Sequence, residues 1–249
     1  MMFVFFFYVA VIISYTIFGF VRKKTFAIDI DGTITEDNKG TIHLDALAAL
    51  RHLKETGHNV IFVSGRSSVE GYLLSVFGGV TRMAVGENGG CITFGSNEHT
   101  LIGKKDECIK AFEFLRSRLD NVQEKPVFPR MTEVVLQRTF DIEQGRKILA
   151  SHNVILTDSM YAYHINSKGV DKGSGFEEIM KKLSVTKDDV IAIGDSETDI
   201  PLFKCASLSV ALGNSSDFVK SNASMVVSAK EGDGVIEALG KIAPKLAEI

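Results

Sequence analysis

The chain has 249 residues, of which 31 are acidic and 28 basic, and its formal net charge is −3. The charges are interspersed without a long basic run, so nothing in the composition favours a partner nucleic acid. The three cysteines are far apart in the sequence, which argues against a disulfide framework or a zinc site and favours a reducing compartment, the cytoplasm.

The first 21 residues are uncharged, and they hold six of the seventeen phenylalanines. A segment of this kind is long enough to cross a bilayer, and the basic residues Arg22 to Lys24 that follow it are typical of a cytoplasmic anchor. The alternative is that translation starts at Val21 and that the upstream residues are a mis-assigned start. The sequence thus predicts either a membrane-anchored protein that faces the cytoplasm or a cytoplasmic protein without a membrane partner.

Beyond this segment, strand patterns alternate with helical patterns. The first helix is the clearest, because Leu44, Leu47, Leu50 and Leu53 recur at helical spacing and Gly57 is placed to end it. Such alternation is the sign of an α/β fold with a Rossmann-like, doubly wound parallel sheet. The strands of that sheet are predicted at residues 25–29, 59–63, 83–85, 190–193, 208–211 and 225–227.

Two aspartates stand where the first predicted strand ends. Asp29 follows a buried apolar run, and a carboxylate there loses its hydration unless a cation or hydrogen-bond donors compensate it. Side chains alternate along a strand, so Asp29 and Asp31 point the same way, and Gly32 allows a sharp turn just beyond them. One carboxylate can act as a nucleophile while the other moves protons. A solvated acidic turn is the plainer interpretation of the same residues.

Two further elements could bind phosphate. Ser64 and Gly65 follow the second strand, where a hydroxyl and backbone N–H groups can hold phosphoryl oxygens. Lys172 precedes a predicted helix, so its ammonium lies near the helix start. Taken alone, each has a common structural explanation, which is turn chemistry for the serine and glycine and a solvated surface position for the lysine.

A second pair of carboxylates follows the strand at residues 190–193. Asp195 and Asp199 are four residues apart, so on a turn or helix start they share a face, and with Asp29 they offer three carboxylates to a hard cation. Oxygen ligands of this kind suit Mg²⁺. Helix capping by the two later aspartates is the alternative for this pair considered alone.

These four elements, in this order, resemble the motifs of the haloacid dehalogenase superfamily of phosphohydrolases. The resemblance implies that Asp29 forms an aspartyl-phosphate, that Asp31 is the general acid and base and lends its backbone carbonyl to Mg²⁺, and that Ser64 and Lys172 hold the phosphoryl group. The two later aspartates would complete the metal site. Members of the superfamily begin a few residues before the first strand, which favours a start at Val21.

Residues 89–166 break the alternating pattern and are predicted to form an inserted α+β cap, while residues 22–88 and 167–249 form the core. The cap elements are predicted at residues 104–119 and 142–150 for helices and at 133–137, 154–157 and 161–165 for strands. The position between the second and third motifs is that of the second-type, cofactor-like cap. Asn88, in Glu87-Asn88-Gly89-Gly90, and Asn214 resemble further features of that branch.

Within that branch, the compact cap and the stretch Asp171-Lys172-Gly173-Ser174-Gly175 are most similar to the archaeal phosphoglycolate phosphatases. The resemblance implies a small phosphorylated metabolite as substrate, and Arg138, His164 and Lys168 are candidates for its carboxylate. Sugar phosphates, a phosphomutase and a catalytically silent phosphosugar-binding relative are the alternatives. The intact Asp29 and Asp31 favour an enzyme, and the sequence leaves a homodimer open.

Overall fold

The computed structural model describes residues 23–36, 40–159 and 161–246, so the apolar segment at residues 1–21 lies outside the described residues. Among the described residues, no helix is both long enough and apolar enough to span a bilayer.

An eight-stranded sheet forms the centre of the molecule, in the strand order β13-β12-β11-β1-β4-β5-β6-β7. The six strands from β13 to β5 are parallel, as predicted, while β6 and β7 are antiparallel. The strands are β1 (Thr25–Ile28), β4 (Asn59–Val63), β5 (Ala84–Gly86), β6 (Cys91–Gly95), β7 (Glu98–Leu101), β11 (Val190–Gly194), β12 (Leu208–Ala211) and β13 (Met225–Val226). A small antiparallel pair, β2 (Thr35–Glu36) and β3 (Thr41–Ile42), follows β1.

Helices cover both faces of this sheet. Apolar side chains alternate along its strands, so they pack into two cores, one on each face. Phe26 and Ile28 pack on the face with the first, second and last helices, whereas Ala27 packs on the opposite face with Phe176 and Leu202. The core helices are α1 (Leu44–Glu55), α2 (Ser68–Gly78), α5 (Lys172–Leu183), α6 (Ile200–Lys204), α7 (Asp217–Ser221) and α8 (Glu231–Leu246). This is the doubly wound α/β arrangement that the sequence predicts.

The insert between β7 and α5 has its own antiparallel sheet, in the order β8-β10-β9, and its own apolar core. Its elements are α3 (Lys105–Arg116), β8 (Val134–Leu136), α4 (Ile142–Ile148), β9 (Val154–Asp158) and β10 (Tyr163–Ser167). Residues 91–101 were expected in the cap, but they pair with β5 and extend the large sheet. The division into core and cap remains a prediction, and this pairing moves the proposed start of the cap to a point after Leu101.

Candidate active site

Asp29 lies at the carboxyl end of β1, where its backbone N–H donates to the carbonyl of Ile193 at 3.0 Å. This bond holds the end of β1 against β11. The Asp29 side chain is only 5% exposed. Asp29 Oδ1 accepts a hydrogen bond from Lys172 Nζ at 2.7 Å. The predicted nucleophile and the predicted phosphate-binding lysine are therefore in direct contact.

Lys172 begins α5 and lies between two buried carboxylates. Its Nζ donates to Asp29 at 2.7 Å and to Asp199 at 2.6 Å. Burial lowers the pKa of this ammonium, but the two carboxylates raise it more, so the net shift is upward and the side chain is a cation. The helix start is fixed by Asp171, whose side chain accepts from the backbone N–H of Ser174.

Three carboxylates, those of Asp29, Asp195 and Asp199, offer oxygens that lie within 4.8 Å of one another. Burial and the charge of Asp199 raise the pKa of Asp29 well above its usual range, and the same two causes raise the pKa of Asp195 to about 7. Negative charge therefore exceeds what Lys172 compensates. A hard divalent cation would relieve this repulsion, so the donor set fits Mg²⁺.

Asp199 has hydrogen bonds at both carboxylate oxygens. Oδ1 accepts from Lys172, and Oδ2 accepts from the backbone N–H groups of Asp195 at 3.1 Å and Ser196 at 3.0 Å. The Ser196 hydroxyl adds a third donor to Oδ2 at 2.9 Å. In this structure Asp199 thus orients the lysine and the loop after β11, and its predicted role as a metal ligand remains a prediction.

Asp31 is half exposed and forms a two-point ion pair with Arg66, with N···O distances of 2.7 and 2.8 Å. Burial lowers the pKa of Arg66, but the hydrogen bond with Asp31 outweighs it and the net shift is upward. The guanidinium also contacts Glu70 at 3.3 Å. Because both carboxylate oxygens of Asp31 accept from Arg66, the pair must open before Asp31 can contact a leaving group.

Ser64 and Gly65 follow β4 beside the turn at Glu87–Gly89. The backbone N–H of Asn88 donates to the carbonyl of Ser64 at 3.2 Å, and Ser64 Oγ accepts from the backbone N–H of Arg66 at 3.1 Å. The Asn88 side chain donates to Glu133 of the insert at 3.4 Å. Asn88 therefore connects the predicted phosphate-binding loop to the insert.

Asn214 joins two loops of the site. Its side-chain amide donates to Asp195 Oδ2 and to the carbonyl of Gly32, both at 2.9 Å. Its Oδ1 accepts from the backbone N–H of Glu231 at 2.9 Å. The structure thus gives this residue, which the sequence singled out only by resemblance, a direct contact with a predicted metal ligand.

The three predicted substrate residues lie apart. Arg138 pairs with Asp158 at 2.9 Å and lies over a tyrosine ring, and Lys168 is exposed. His164 is buried, with its ring nitrogens 3.0 Å from Glu133 and 3.0 Å from Ser159. Their assignment to substrate binding stays a prediction.

Sequence reasoning missed three polar residues at the site. Thr33 donates to Asp195 at 3.1 Å, and Arg66 pairs with the predicted acid and base. Arg130 of the insert donates to the carbonyl of Gly65 at 2.8 Å. Thr33 directly follows Gly32 and Arg66 directly follows Gly65, so adjacency to a motif marks these two, whereas no local pattern marks Arg130.

Comparison with known proteins supports the family resemblance that the motifs indicate. Residues 26–123 and 104–239 match the haloacid dehalogenase-like hydrolase family. The chain belongs to this family. A phosphoglycolate phosphatase from Nitrosopumilus maritimus is 67% identical over 231 residues, which cover 92% of this chain and 100% of that relative. A phosphoglycolate phosphatase from Archaeoglobus fulgidus is 34% identical and covers 88% of this chain and 96% of its own length.

Solved structures share the fold. A Thermoplasma acidophilum protein superposes with a TM-score of 0.81 at 22% identity, covering 90% of this chain and 99% of its own. A subclass IIB sugar phosphatase superposes with a TM-score of 0.71 at 18% identity, covering 88% and 99%. The predicted superfamily and fold class are confirmed.

Proposed function

We propose that the protein is a magnesium-dependent phosphoglycolate phosphatase, which converts 2-phosphoglycolate and water into glycolate and phosphate. The observation that carries the chemistry is the buried contact of Asp29 with Lys172 beside Asp195 and Asp199. The observation that favours this substrate is the identity of 67% to a phosphoglycolate phosphatase over nearly the whole chain. The free, buried cysteines agree with the proposed cytoplasmic location, and a homodimer stays a prediction.

The first step forms a covalent intermediate. The Asp29 carboxylate attacks phosphorus in line with the ester oxygen, and the P–O bond to glycolate breaks as the Asp29–P bond forms. Once its pair with Arg66 has opened, Asp31 acts as the general acid and gives a proton to the departing oxygen. Lys172 and the Ser64 hydroxyl hold the equatorial phosphoryl oxygens, whose charge grows in the transition state.

The second step restores the enzyme. Asp31, now a carboxylate, takes a proton from a water molecule that attacks phosphorus, and the Asp29–P bond breaks to release phosphate. Asp29, Asp195 and the backbone carbonyl of Asp31 would hold Mg²⁺, with Asp199 beside them. When bound, the ion neutralises phosphoryl charge and orients the group for attack.

The test is metal-dependent phosphate release by the full-length protein from 2-phosphoglycolate and from a panel of hexose phosphates, with and without Mg²⁺. We expect turnover that needs the metal and prefers phosphoglycolate, and no turnover by Asp29→Asn. Asp45→Asn, an exposed carboxylate in the first turn of α1, is the matched control. Equal turnover of hexose phosphates would move the substrate to sugar phosphates, and isomer formation with a sugar bisphosphate would indicate a mutase.

A further inference from the structure

Arg130 reaches from the insert to the predicted phosphate-binding loop. Its Nη1 donates to the carbonyl of Gly65 at 2.8 Å, and its side chain is 8% exposed. Phosphoglycolate carries its two charged groups close together, because one ester oxygen and one methylene separate the phosphate from the carboxylate. A residue that reads this carboxylate must therefore lie next to the group that holds the phosphate.

A buried carboxylate positions the Arg130 guanidinium. Glu133 Oε1 lies 3.4 Å from Arg130 Nη1, while Glu133 Oε2 is 3.0 Å from His164 Nδ1 and accepts from the Asn166 amide at 2.9 Å. Burial raises the pKa of Glu133, but His164 and Arg130 lower it more, so the net shift is downward and the carboxylate is ionised. Nη1 is therefore held by its hydrogen bond to Gly65 and lies within ion-pair distance of Glu133.

The other edge of the Arg130 guanidinium carries N–H groups that can donate to a ligand. Within the described part of the chain, Arg130 Nε is buried and has no hydrogen-bond partner, and the only hydrogen bond that Arg130 donates there uses Nη1. The N–H groups of Nε and Nη2 form the planar fork that matches the two oxygens of a carboxylate. A buried donor without a partner costs free energy, which a ligand that accepts from it would recover.

The same side chain lines a pocket of about 360 Å³ in the insert. Lys105 and Lys125 also line this pocket, together with the exposed ring of Phe128 and the carboxylates of Glu124 and Glu133. With Arg130 the cations outnumber the carboxylates, so the charge of the lining favours an anion. The volume suits a small metabolite. Arg130 thus lies between an open pocket and the loop at Ser64 and Gly65.

We propose that Arg130 recognises the carboxylate of the substrate through Nε and Nη2 and so determines the specificity of the enzyme. This inference rests on the proposed function, since it assigns the carboxylate end of the same substrate. The bond from Nη1 to Gly65 sets the distance between the carboxylate and the phosphoryl group. Of the residues that the sequence suggested, Arg138 and Lys168 are not needed for this contact, and His164 contributes only through Glu133.

The test compares 2-phosphoglycolate with its carboxamide, which has the same shape but lacks the charge. For Arg130→Met, we expect kcat/KM for the acid to fall roughly 100-fold, because the charged hydrogen bonds to its carboxylate are lost. The value for the amide should change by less than about threefold. Arg130→Lys keeps the charge without the fork and should lose roughly tenfold on the acid alone. Arg116→Met, an exposed arginine at the end of α3, is the control and should change neither.

The outcomes separate this inference from the proposed function. If the unaltered protein prefers the acid and both Arg130 variants keep that preference, the inference is wrong and the function stands. Equal losses on acid and amide would show that Arg130 only shapes the Gly65 loop. If the unaltered protein turns over the acid and the amide equally, the inference is wrong and the function stands, whereas no metal-dependent release from 2-phosphoglycolate would overturn both. Should Arg130→Met not fold by circular dichroism, Arg130→Lys decides.

Discussion

A methyl group at Gly89 would collide with the backbone that carries Lys172. Gly89 has a φ of +99°, and a Cβ there would lie 1.8 Å from the carbonyl oxygen of Asp171. Gly57 has nearly the same φ, +101°, but a Cβ there meets nothing within 4 Å. Both Gly→Ala variants therefore bear the cost of the left-handed backbone, about 1 to 2 kcal/mol, and only Gly89→Ala adds a clash.

The clash can be relieved only by moving backbone, which costs a further 1 to 3 kcal/mol or so. For a chain of this size, about 2 kcal/mol of extra destabilisation corresponds to a melting temperature roughly 4 to 8 °C below that of Gly57→Ala. The displaced α5 start also carries Lys172 away from Asp29, so we expect kcat to fall roughly 10- to 100-fold, since misplacement by about 1 Å can cost that much.

Thermal unfolding followed by circular dichroism, together with Mg²⁺-dependent phosphate release at saturating substrate, measures both effects. Gly57→Ala should keep its kcat. If Gly89→Ala melts within about 1 °C of Gly57→Ala and turns over normally, the close approach of the turn to Asp171 does not constrain the site, and the reasoning is refuted.

Three further predictions concern charge. Lys172→Met removes the cation from the carboxylate cluster, so turnover should be lost and Mg²⁺ should raise the melting temperature of this variant more than that of the unaltered protein; an equal rise would contradict the reasoning. Because the pKa of Asp195 is raised to about 7, Mg²⁺ affinity measured by calorimetry should fall as pH drops below about 7, and the metal-free protein should gain stability over the same range down to the usual carboxyl pKa, near 4. A flat affinity would exclude Asp195 as a ligand. Arg66→Met removes both hydrogen bonds that hold Asp31 in the closed pair, so kcat should rise roughly two- to fivefold, the equivalent of a partly exposed ion pair of about 0.5 to 1 kcal/mol; an unchanged kcat would show that the pair does not hold back the proton carrier.

The sequence predicted the parallel strands well because each is a short apolar run that ends in a polar turn. Where parallel strands end side by side, their following residues must meet, and this explains why Asp29, Asp195 and Asp199 form one cluster. Lys172 joins the cluster from the start of α5. The two strands of the β2–β3 pair have only two residues each, too few to show a period. The β6–β7 hairpin was assigned to the cap because its pattern does not reveal which sheet edge it joins.

The partner of Arg66 and the position of Arg130 could not be predicted, for a physical reason. Neither arginine lies in a periodic pattern, and the partner of each is distant in sequence, Asp31 for the first and Gly65 for the second. Such contacts depend on how the insert and the loop before α2 pack against the sheet. Arginine is also common on solvated surfaces, so an arginine in a sequence is weak evidence for a buried side chain.

The turn at residues 87–89 links the insert to the catalytic cluster. Glu87 and Asn88 both have positive φ, of 55° and 51°, a conformation that costs free energy for residues other than glycine. The buried Glu87 carboxylate compensates by accepting hydrogen bonds from the backbone N–H groups of Met131 at 2.9 Å and Thr132 at 2.7 Å. The same turn packs on the start of α5 through Gly89. A displacement of the insert would therefore also move Lys172, so the proposed substrate recognition and phosphoryl transfer depend on the same turn.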